Sequence, residues 1–250
     1  MHGKFFTTTV KPTTFVVGDM DGGAYNANDA LFDWHGFKIP TGTARLMGAT
    51  AIIRGNDGTA QSLAGELYFA TSGDFTFGTS DAALSAQQLG NFVFGFIDFE
   101  DKDDSPALSN IKISEMTKDT NNTQILFAPR TEQIGSSAPN IGADGFTTYY
   151  MAFRSTGTPN FASTVTINMT DAGDLAALGT AVLTVDTKDP RITMSPGDVL
   201  VAQDGAAVGT IKSIDSDVQI TLTSPHTAAL TNNDELYIQS PVSFILNFEY

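Results

Sequence analysis

The sequence contains no cysteine among its 250 residues. This absence excludes disulfides, thiolate metal sites and cysteine nucleophiles together, so packing or assembly with other chains must hold the fold. Basic residues are also scarce, because 13 Lys and Arg stand against 28 Asp and Glu, which gives a net charge of -15. Such an acidic chain repels phosphate backbones, and we expect no direct binding to nucleic acid and none to a membrane.

Histidine is nearly as rare, with three residues in the whole chain. His2, His35 and His226 do not lie within metal-ligand spacing of one another, and we predict a structural or solvated role for each. The sequence also lacks a Gly-x-Ser-x-Gly elbow, a phosphate-binding Gly-x-x-x-x-Gly-Lys loop and a Gly-x-Gly-x-x-Gly motif. We therefore predict no catalytic residue, no cofactor or cofactor-binding residue and no metal ligand, and we expect that the protein is not an enzyme.

Long hydrophobic runs are missing as well. Residues 1–20 are too polar for the apolar region of a signal peptide, and no other stretch approaches the length of a membrane span. We expect a soluble protein without an N-terminal secretion signal. The 41% hydrophobic content is nevertheless enough to bury a sizeable core.

Two polar loops could supply oxygen ligands to a cation. The loop at 98–104 contains Asp98, Glu100, Asp101, Asp103 and Asp104, and the loop at 19–29 contains Asp19, Asp21, Asn26, Asn28 and Asp29. The first lacks the glycine and the closing glutamate of an EF-hand, and Asx turns explain the second equally well. We interpret both as solvated loops, and ion binding by either stays open.

Strand signals dominate what the sequence does contain. Short apolar or alternating segments are separated almost throughout by Gly, Asn, Asp and Pro turns. The Asp57-Gly58 pair predicts a hairpin that joins strand 44–54 to strand 65–70. Residues 80–90 form the one predicted helix, with Ser80 as its N-cap. The other strands predicted in this part are 5–17, 31–40, 91–99, 110–116, 123–128, 146–154 and 163–169.

Aromatic residues fall inside these strand patterns. Segment 91–99 is apolar on both faces, which predicts a strand covered on both sides. We interpret its aromatic residues as core rather than as a ligand groove; they are Phe92, Phe94, Phe96 and Phe99. Alternation within 31–40 predicts that Trp34 shares a face with Phe32 and lies opposite Phe37.

Turns come closer together after residue 180. The strands predicted there are 181–185, 198–201, 207–214, 219–222 and 235–238. Five short strands joined by Pro-Gly, Asp-Gly and Ser-Asp turns are typical of a small barrel. The last segment, 242–250, alternates again, and we predict that it pairs beside the N-terminal strand, which would make the barrel an insertion.

These signals predict an all-β fold, a jelly-roll-like β-sandwich with an inserted or appended small five-stranded β-barrel. The predicted sandwich domain comprises residues 1–175 plus 240–250, and the predicted barrel domain comprises residues 176–239.

Several segments resemble a known family. They are FFTTTVKP at 5–12, LFDW at 31–34, IPTG at 39–42, LMGATAIIR at 46–54 and SPVSFILNFE at 240–249. Together they resemble virion structural proteins of marine tailed phages, notably those that infect cyanobacteria. The segment 197–222 is similar to a small barrel module that recurs in such proteins, whereas the middle of the chain, from about 58 to 170, shows no such resemblance.

The resemblance implies a structural component of a tailed-phage virion, assembled in the host cytoplasm. A major capsid protein would need long helices, so we expect a capsid decoration protein on the outer shell. Its implied partners are other virion proteins, chiefly the major capsid protein, and further copies of itself. Two alternatives stay open: a tail, baseplate or fibre-associated virion protein, and a carbohydrate-binding or carbohydrate-cleaving β-sandwich.

Overall fold

The computed structural model describes residues 4–14, 25–54, 59–85, 88–100, 111–117, 125–132, 139–161, 164–167, 180–186 and 188–250. These residues form antiparallel β-structure with almost no helix, which confirms the predicted all-β fold. The helical pieces are a 3-10 turn at Gln88–Asn91 and the four-residue helix α1 at Pro190–Thr193.

The strands are numbered in chain order. They are β1 (Phe5–Val10), β2 (Asp29–Pro40), β3 (Ala44–Arg54), β4 (Gly65–Ala70), β5 (Ala82–Ala83), β6 (Val93–Phe99), β7 (Ile111–Thr117), β8 (Leu126–Phe127), β9 (Phe146–Ser155), β10 (Thr164–Ile167), β11 (Val182–Asp186), β12 (Val199–Ala202), β13 (Ala207–Ser216), β14 (Gln219–Leu222), β15 (Glu235–Ile238) and β16 (Val242–Glu249). Each strand except β5, which falls within the predicted helix, overlaps a strand predicted from sequence, although β1 is shorter than the predicted 5–17.

Two five-stranded sheets contain the strands on either side of the β10–β15 segment. The first has the order β1-β16-β3-β7, with β8 paired to β3, and the second has the order β5-β2-β9-β4-β6. Both sheets contribute inward-facing side chains to one hydrophobic cluster that is rich in Phe and Tyr. Phe127 lies near its centre, with ring centroids 5.0 Å from those of Tyr149 and Phe248.

The terminal strand pairs as the sequence predicts. β16 lies between β1 and β3, with Phe5 opposite Glu249 and Val242 opposite Ile53. Its alternation buries one face completely, because every second residue from Val242 to Phe248 is at most 1% exposed. Burial of that face is the reason why the register is well specified, since a slip by one residue would turn all these side chains to solvent.

The third antiparallel set contains β10 to β15. Its pairings follow the order β10, β11, β14, β13, β12 and β15, and β15 pairs back to β10. The predicted count of five strands is one too few, because Thr164–Ile167 pairs with both β11 and β15. Sequence order alone assigned that strand to the sandwich segment, whereas its Val165 packs in a second cluster with residues from 183 to 238.

The predicted helix at 80–90 is wrong. Asp81 adopts a positive φ of 54°, and Ala82 pairs with Ala30 as part of β5. The Ser80 hydroxyl does not cap a helix but donates to the Leu31 carbonyl at 2.7 Å. Tertiary pairing with β2 therefore overrides a local pattern that was only about three turns long.

The predicted hairpin between 44–54 and 65–70 is also wrong. β3 pairs with β16 and β7, while β4 lies in the other sheet between β9 and β6. The Asp-Gly turn, 55–58, lies outside the described residues. The connection therefore crosses from one sheet to the other instead of returning along its own strand.

Two aromatic assignments need correction. β6 is an edge strand rather than a strand covered on both sides, and its Phe96 is 51% exposed. In β2 the register shifts twice between Ala30 and His35. These irregularities leave Phe32 in the inner cluster and place Trp34 on the outer face, so the two rings do not share a side.

Candidate interaction surfaces

The sequence singles out three histidines and two polar loops as candidate sites. His2 lies outside the described residues, as do 15–24 and 101–110. Burial lowers the pKa of His35, which favours a neutral imidazole. His226 is 1% exposed, with Nδ1 3.0 Å from the Ala228 carbonyl oxygen. In the described part of the chain, no three His, Asp or Glu side chains are grouped to hold a metal ion.

The first candidate surface is the outer edge of β1, here called the free edge. β1 ends its sheet, and among the described strands only β16 pairs with it. Its sequence, FFTTTV, has neither charge nor proline. Native edge strands usually carry charged residues or proline, which prevent a further strand from adding. The free edge lacks both forms of protection.

The backbone of the free edge is oriented for strand addition. The Tyr250 N–H donates to the Lys4 carbonyl at 2.9 Å, so this pair is of the hydrogen-bonded kind. Hydrogen-bonded and non-hydrogen-bonded pairs alternate along an antiparallel ladder. Phe5, Thr7 and Thr9 therefore occupy non-hydrogen-bonded positions opposite β16 and direct their peptide groups outward.

The other sheet edges differ from the free edge. β7 carries Lys112, β6 carries Asp98, and β5 is only two residues long. Charges and short length are two established ways of protecting an edge. The side chains of the free edge are instead apolar or hydroxylated, and Phe5 is 73% exposed.

The second candidate surface lies on the outer face of the other sheet. Four rings follow one another there, and we call Trp34, Phe77, Tyr68 and Phe96 the outer aromatic row. Successive ring centroids are 5.2, 5.5 and 5.5 Å apart, and the last pair is stacked with an interplanar angle of 29°. Phe77 is buried, Trp34 and Tyr68 are half-buried, and Phe96 is exposed. Sequence analysis missed this row because its members come from β2, β4, β6 and a loop.

Polar side chains accompany the outer aromatic row. The Tyr68 hydroxyl donates to Glu66 Oε2 at 2.5 Å, and Arg154 Nη1 donates to the same oxygen at 3.1 Å. Arg154 Nη2 also donates to Asn28 Oδ1 at 2.6 Å. Burial, followed by the Glu66 carboxylate, raises the pKa of Tyr68, so its hydroxyl keeps its proton and remains a donor.

A junction joins the first sheet to the third antiparallel set. Arg54, the last residue of β3, forms a salt bridge with Asp198, whose side chain is 3% exposed. The same carboxylate accepts the Ser195 N–H at 2.8 Å. The Thr14 N–H donates to the carbonyl of Gln239 at 3.1 Å, and Gln239 shortly precedes β16 in the sequence. No sequence signal identifies the Arg54–Asp198 pair, because its members are 144 residues apart.

No helix in the described segments is long and apolar enough to cross a membrane. No protein-family model, curated protein or solved structure matches the chain. The geometry of the two surfaces and the resemblance of the terminal segments are the observations that bear on function.

Proposed function

We propose that the chain is a structural component of a tailed-phage virion, and within it a capsid decoration protein on the outer shell. The observation that carries the proposal is the free edge, which combines an uncharged strand with outward peptide groups. Strand addition at such an edge supplies main-chain hydrogen bonds and needs no catalytic group. An assembly protein can use an edge that would be a liability in a free monomer.

The family resemblance also supports a role of the free edge in assembly. The terminal segments that resemble phage virion proteins, 5–12 and 240–249, contain β1 and β16. These strands pair with each other along their whole common length, from Phe5 with Glu249 to Val10 with Phe244. The resembling segments therefore build the free edge itself.

The proposed partner is the major capsid protein, alongside further copies of this chain. Lys4 and Lys11 flank the free edge in a protein with a net charge of -15. A partner strand with acidic flanks would pair best with these two lysines. The remaining negative charge would keep the protein away from packaged DNA.

The arrangement of the sheets is also part of what we propose. We infer that the two stacked sheets form a jelly-roll-like sandwich and that β10–β15 close into a small inserted barrel. The return pairing of β15 with β10 supports closure. The positions of β1 and β16 in one sheet, with the other strands between them in sequence, support an insertion.

Strand addition is tested by a proline variant with a matched control. Thr9→Pro removes an outward N–H but no hydrogen bond to β16, so β1 should keep its place. Thr9→Ala removes the same side chain and keeps the N–H. We expect the wild-type chain and the alanine variant to bind purified capsid shells that lack the protein, and the proline variant to bind at least about tenfold more weakly.

Copy number distinguishes the decoration protein from the alternative of a tail, baseplate or fibre-associated protein. Gel densitometry of purified particles should give hundreds of copies for a decoration protein and a few to dozens for a tail component. The proposal of a virion component fails if the protein is absent from purified particles. The proposal that the free edge mediates assembly fails if Thr9→Pro and Thr9→Ala bind shells equally.

A further inference from the structure

Phe96 is unusual among the aromatic residues of its strand. Phe99 on the same strand is 1% exposed, whereas Phe96 is 51% exposed and rests on Tyr68. Full burial of a phenylalanine side chain stabilises a protein, so exposure gives up part of that stabilisation. Single exposed apolar residues are common, but this ring ends a continuous row of four.

Charged side chains lie in the next row of the same face. Tyr68 lies between Ala152 and Phe96 across the sheet, while Glu66 lies between Arg154 and Asp98. The two rows are two residues apart along each strand, or about 7 Å. The exposed ring of Phe96 therefore lies beside carboxylate and guanidinium groups. The spacing of the two rows is similar to the width of one small ring-shaped ligand, which could contact both.

We propose that the outer aromatic row binds a neutral saccharide chain, with one pyranose ring stacked on Phe96 and its hydroxyl groups bonded to the Glu66 and Arg154 row. A pyranose has an apolar face of C–H groups and a polar rim of hydroxyls. The C–H face can stack on an exposed aromatic ring. The hydroxyl rim can form strong hydrogen bonds with charged groups that accept or donate them. The proposal goes beyond the proposed virion role and uses a different sheet.

The surface is held in place before any ligand arrives. Phe77, 3% exposed, lies between the rings of Trp34 and Tyr68, and its N–H donates to Asp33 Oδ1 at 2.6 Å. A Cβ at Gly73 would lie 2.7 Å from the Tyr150 ring, so glycine lets the loop approach the sheet closely. Preorganised rings lose little conformational entropy on binding, which favours affinity from a small contact area.

Charge decides between neutral and anionic ligands. Glu66 and the exposed Asp98 occupy directly opposite positions on β4 and β6. Two carboxylates stand against the single guanidinium of Arg154 in this row, and with the net charge of -15 this disfavours sulfated or uronate chains and nucleic acid phosphates. The favoured ligand is therefore an uncharged chain of pyranose units.

The test uses the full-length protein and four defined probes. Cellohexaose, maltohexaose and chitohexaose are neutral, and an alginate hexamer is the acidic comparison. Trp34 is the only tryptophan in the sequence, so its fluorescence reports directly on the row. We expect at least one neutral hexasaccharide to change that fluorescence and to give a calorimetric binding isotherm, with no binding of the alginate hexamer.

Variants locate the binding. Phe96→Ala should weaken binding by about tenfold or more, by analogy with the loss of an aromatic stacking partner. Phe5→Ala is the matched control, because Phe5 is also exposed but lies on the other sheet, and it should leave binding unchanged. Both side chains are exposed, so both variants should fold.

Two results would overturn the saccharide proposal. They are no binding of any neutral probe at millimolar concentration, and equal affinities of the two variants. If no probe binds and Phe96→Ala also loses capsid-shell binding, the row is a protein interface. Neither result touches the comparison of Thr9→Pro with Thr9→Ala, so this proposal and the virion proposal can fail separately.

Discussion

The two hydrophobic clusters are built from different side chains. The sandwich cluster is rich in phenylalanine and tyrosine, whereas the cluster among β10–β15 contains no aromatic residue in the part that the structure describes. Stacked open sheets lie about 10 Å apart, and large rings fill that gap. The short strands β10–β15 instead pack Val, Leu, Ile, Met and Ala side chains against one another. The difference shows that the two clusters are filled by side chains of different size and shape.

Phe127→Ala should have the largest effect on stability. The ring of Phe127 contacts those of Phe69, Phe94 and Tyr149 with centroid distances of 4.9–5.1 Å. Removing it should lower the free energy of unfolding by about 3–5 kcal/mol. Urea unfolding measures the loss, and Phe5→Ala, on an exposed ring, should change the value by about 0.5 kcal/mol or less. A loss similar to that of the control would contradict the account of the aromatic cluster.

Leu236→Ala tests the aliphatic cluster. Leu236 is 0% exposed and packs among the β10–β15 residues. We expect a loss of about 2–4 kcal/mol, since the surrounding aliphatic side chains can collapse only partly into the space. Amide hydrogen exchange should show the loss of protection mainly within residues 165–238. An equal loss across the sandwich strands would show that the two clusters do not unfold separately.

Asp198→Asn tests the junction between the two regions. The variant keeps the shape of a buried side chain but removes the charge that faces Arg54. Loss of a charged hydrogen bond should lower the free energy of unfolding by about 1.5–3 kcal/mol. A double-mutant cycle with Arg54→Met should give a coupling energy of about 0.5 kcal/mol or more. Additive effects of the two substitutions would contradict a direct interaction.

Lys38→Met should have the smallest effect, confined to one surface pair. The hydrogen bond from Lys38, followed by the Phe146 N–H, lowers the pKa of Asp144 below its usual 3.8. The Lys38–Asp144 pair therefore stabilises the fold at pH values above about 3.8, the usual pKa of the carboxyl group. This stabilisation is lost as the pH falls through the lowered pKa of Asp144.

The free energy of unfolding, measured as a function of pH, tests the direction of this effect. Wild type should be slightly more stable than Lys38→Met at pH 7, and the difference should vanish in strong acid. Lys11→Met serves as the control for removal of a surface charge. A difference that grows as the pH falls would contradict the assignment.

Much of the fold could be predicted from local patterns. Strict alternation in 242–249 correctly gives a half-buried strand and its buried face, because strand periodicity is fixed by the backbone. The same logic fails at Trp34, where register shifts in β2 reverse the side to which the ring points. A shift of this kind depends on the partner strand β9 and leaves no local signal.

Less of the two surfaces could be predicted. The absence of charge in FFTTTV is visible in the sequence, but the position of β1 at a sheet edge is known only from the pairing. Glu66 and Arg154 are 88 residues apart and meet only because β4 pairs with β9. Phe96 and the buried Phe99 are both phenylalanines of β6, so residue type does not distinguish them. The exposure of Phe96 becomes evident only from the position of β6 at the sheet edge.

A high-resolution electron-microscopy map of the assembled particle would show directly what pairs with the free edge. We expect hundreds of copies of the chain on the outer shell, with a strand from a neighbouring protein hydrogen-bonded to the peptide groups of Phe5, Thr7 and Thr9. A map in which the chain is absent, or in which it is present and the free edge faces solvent in every copy, would contradict the proposal.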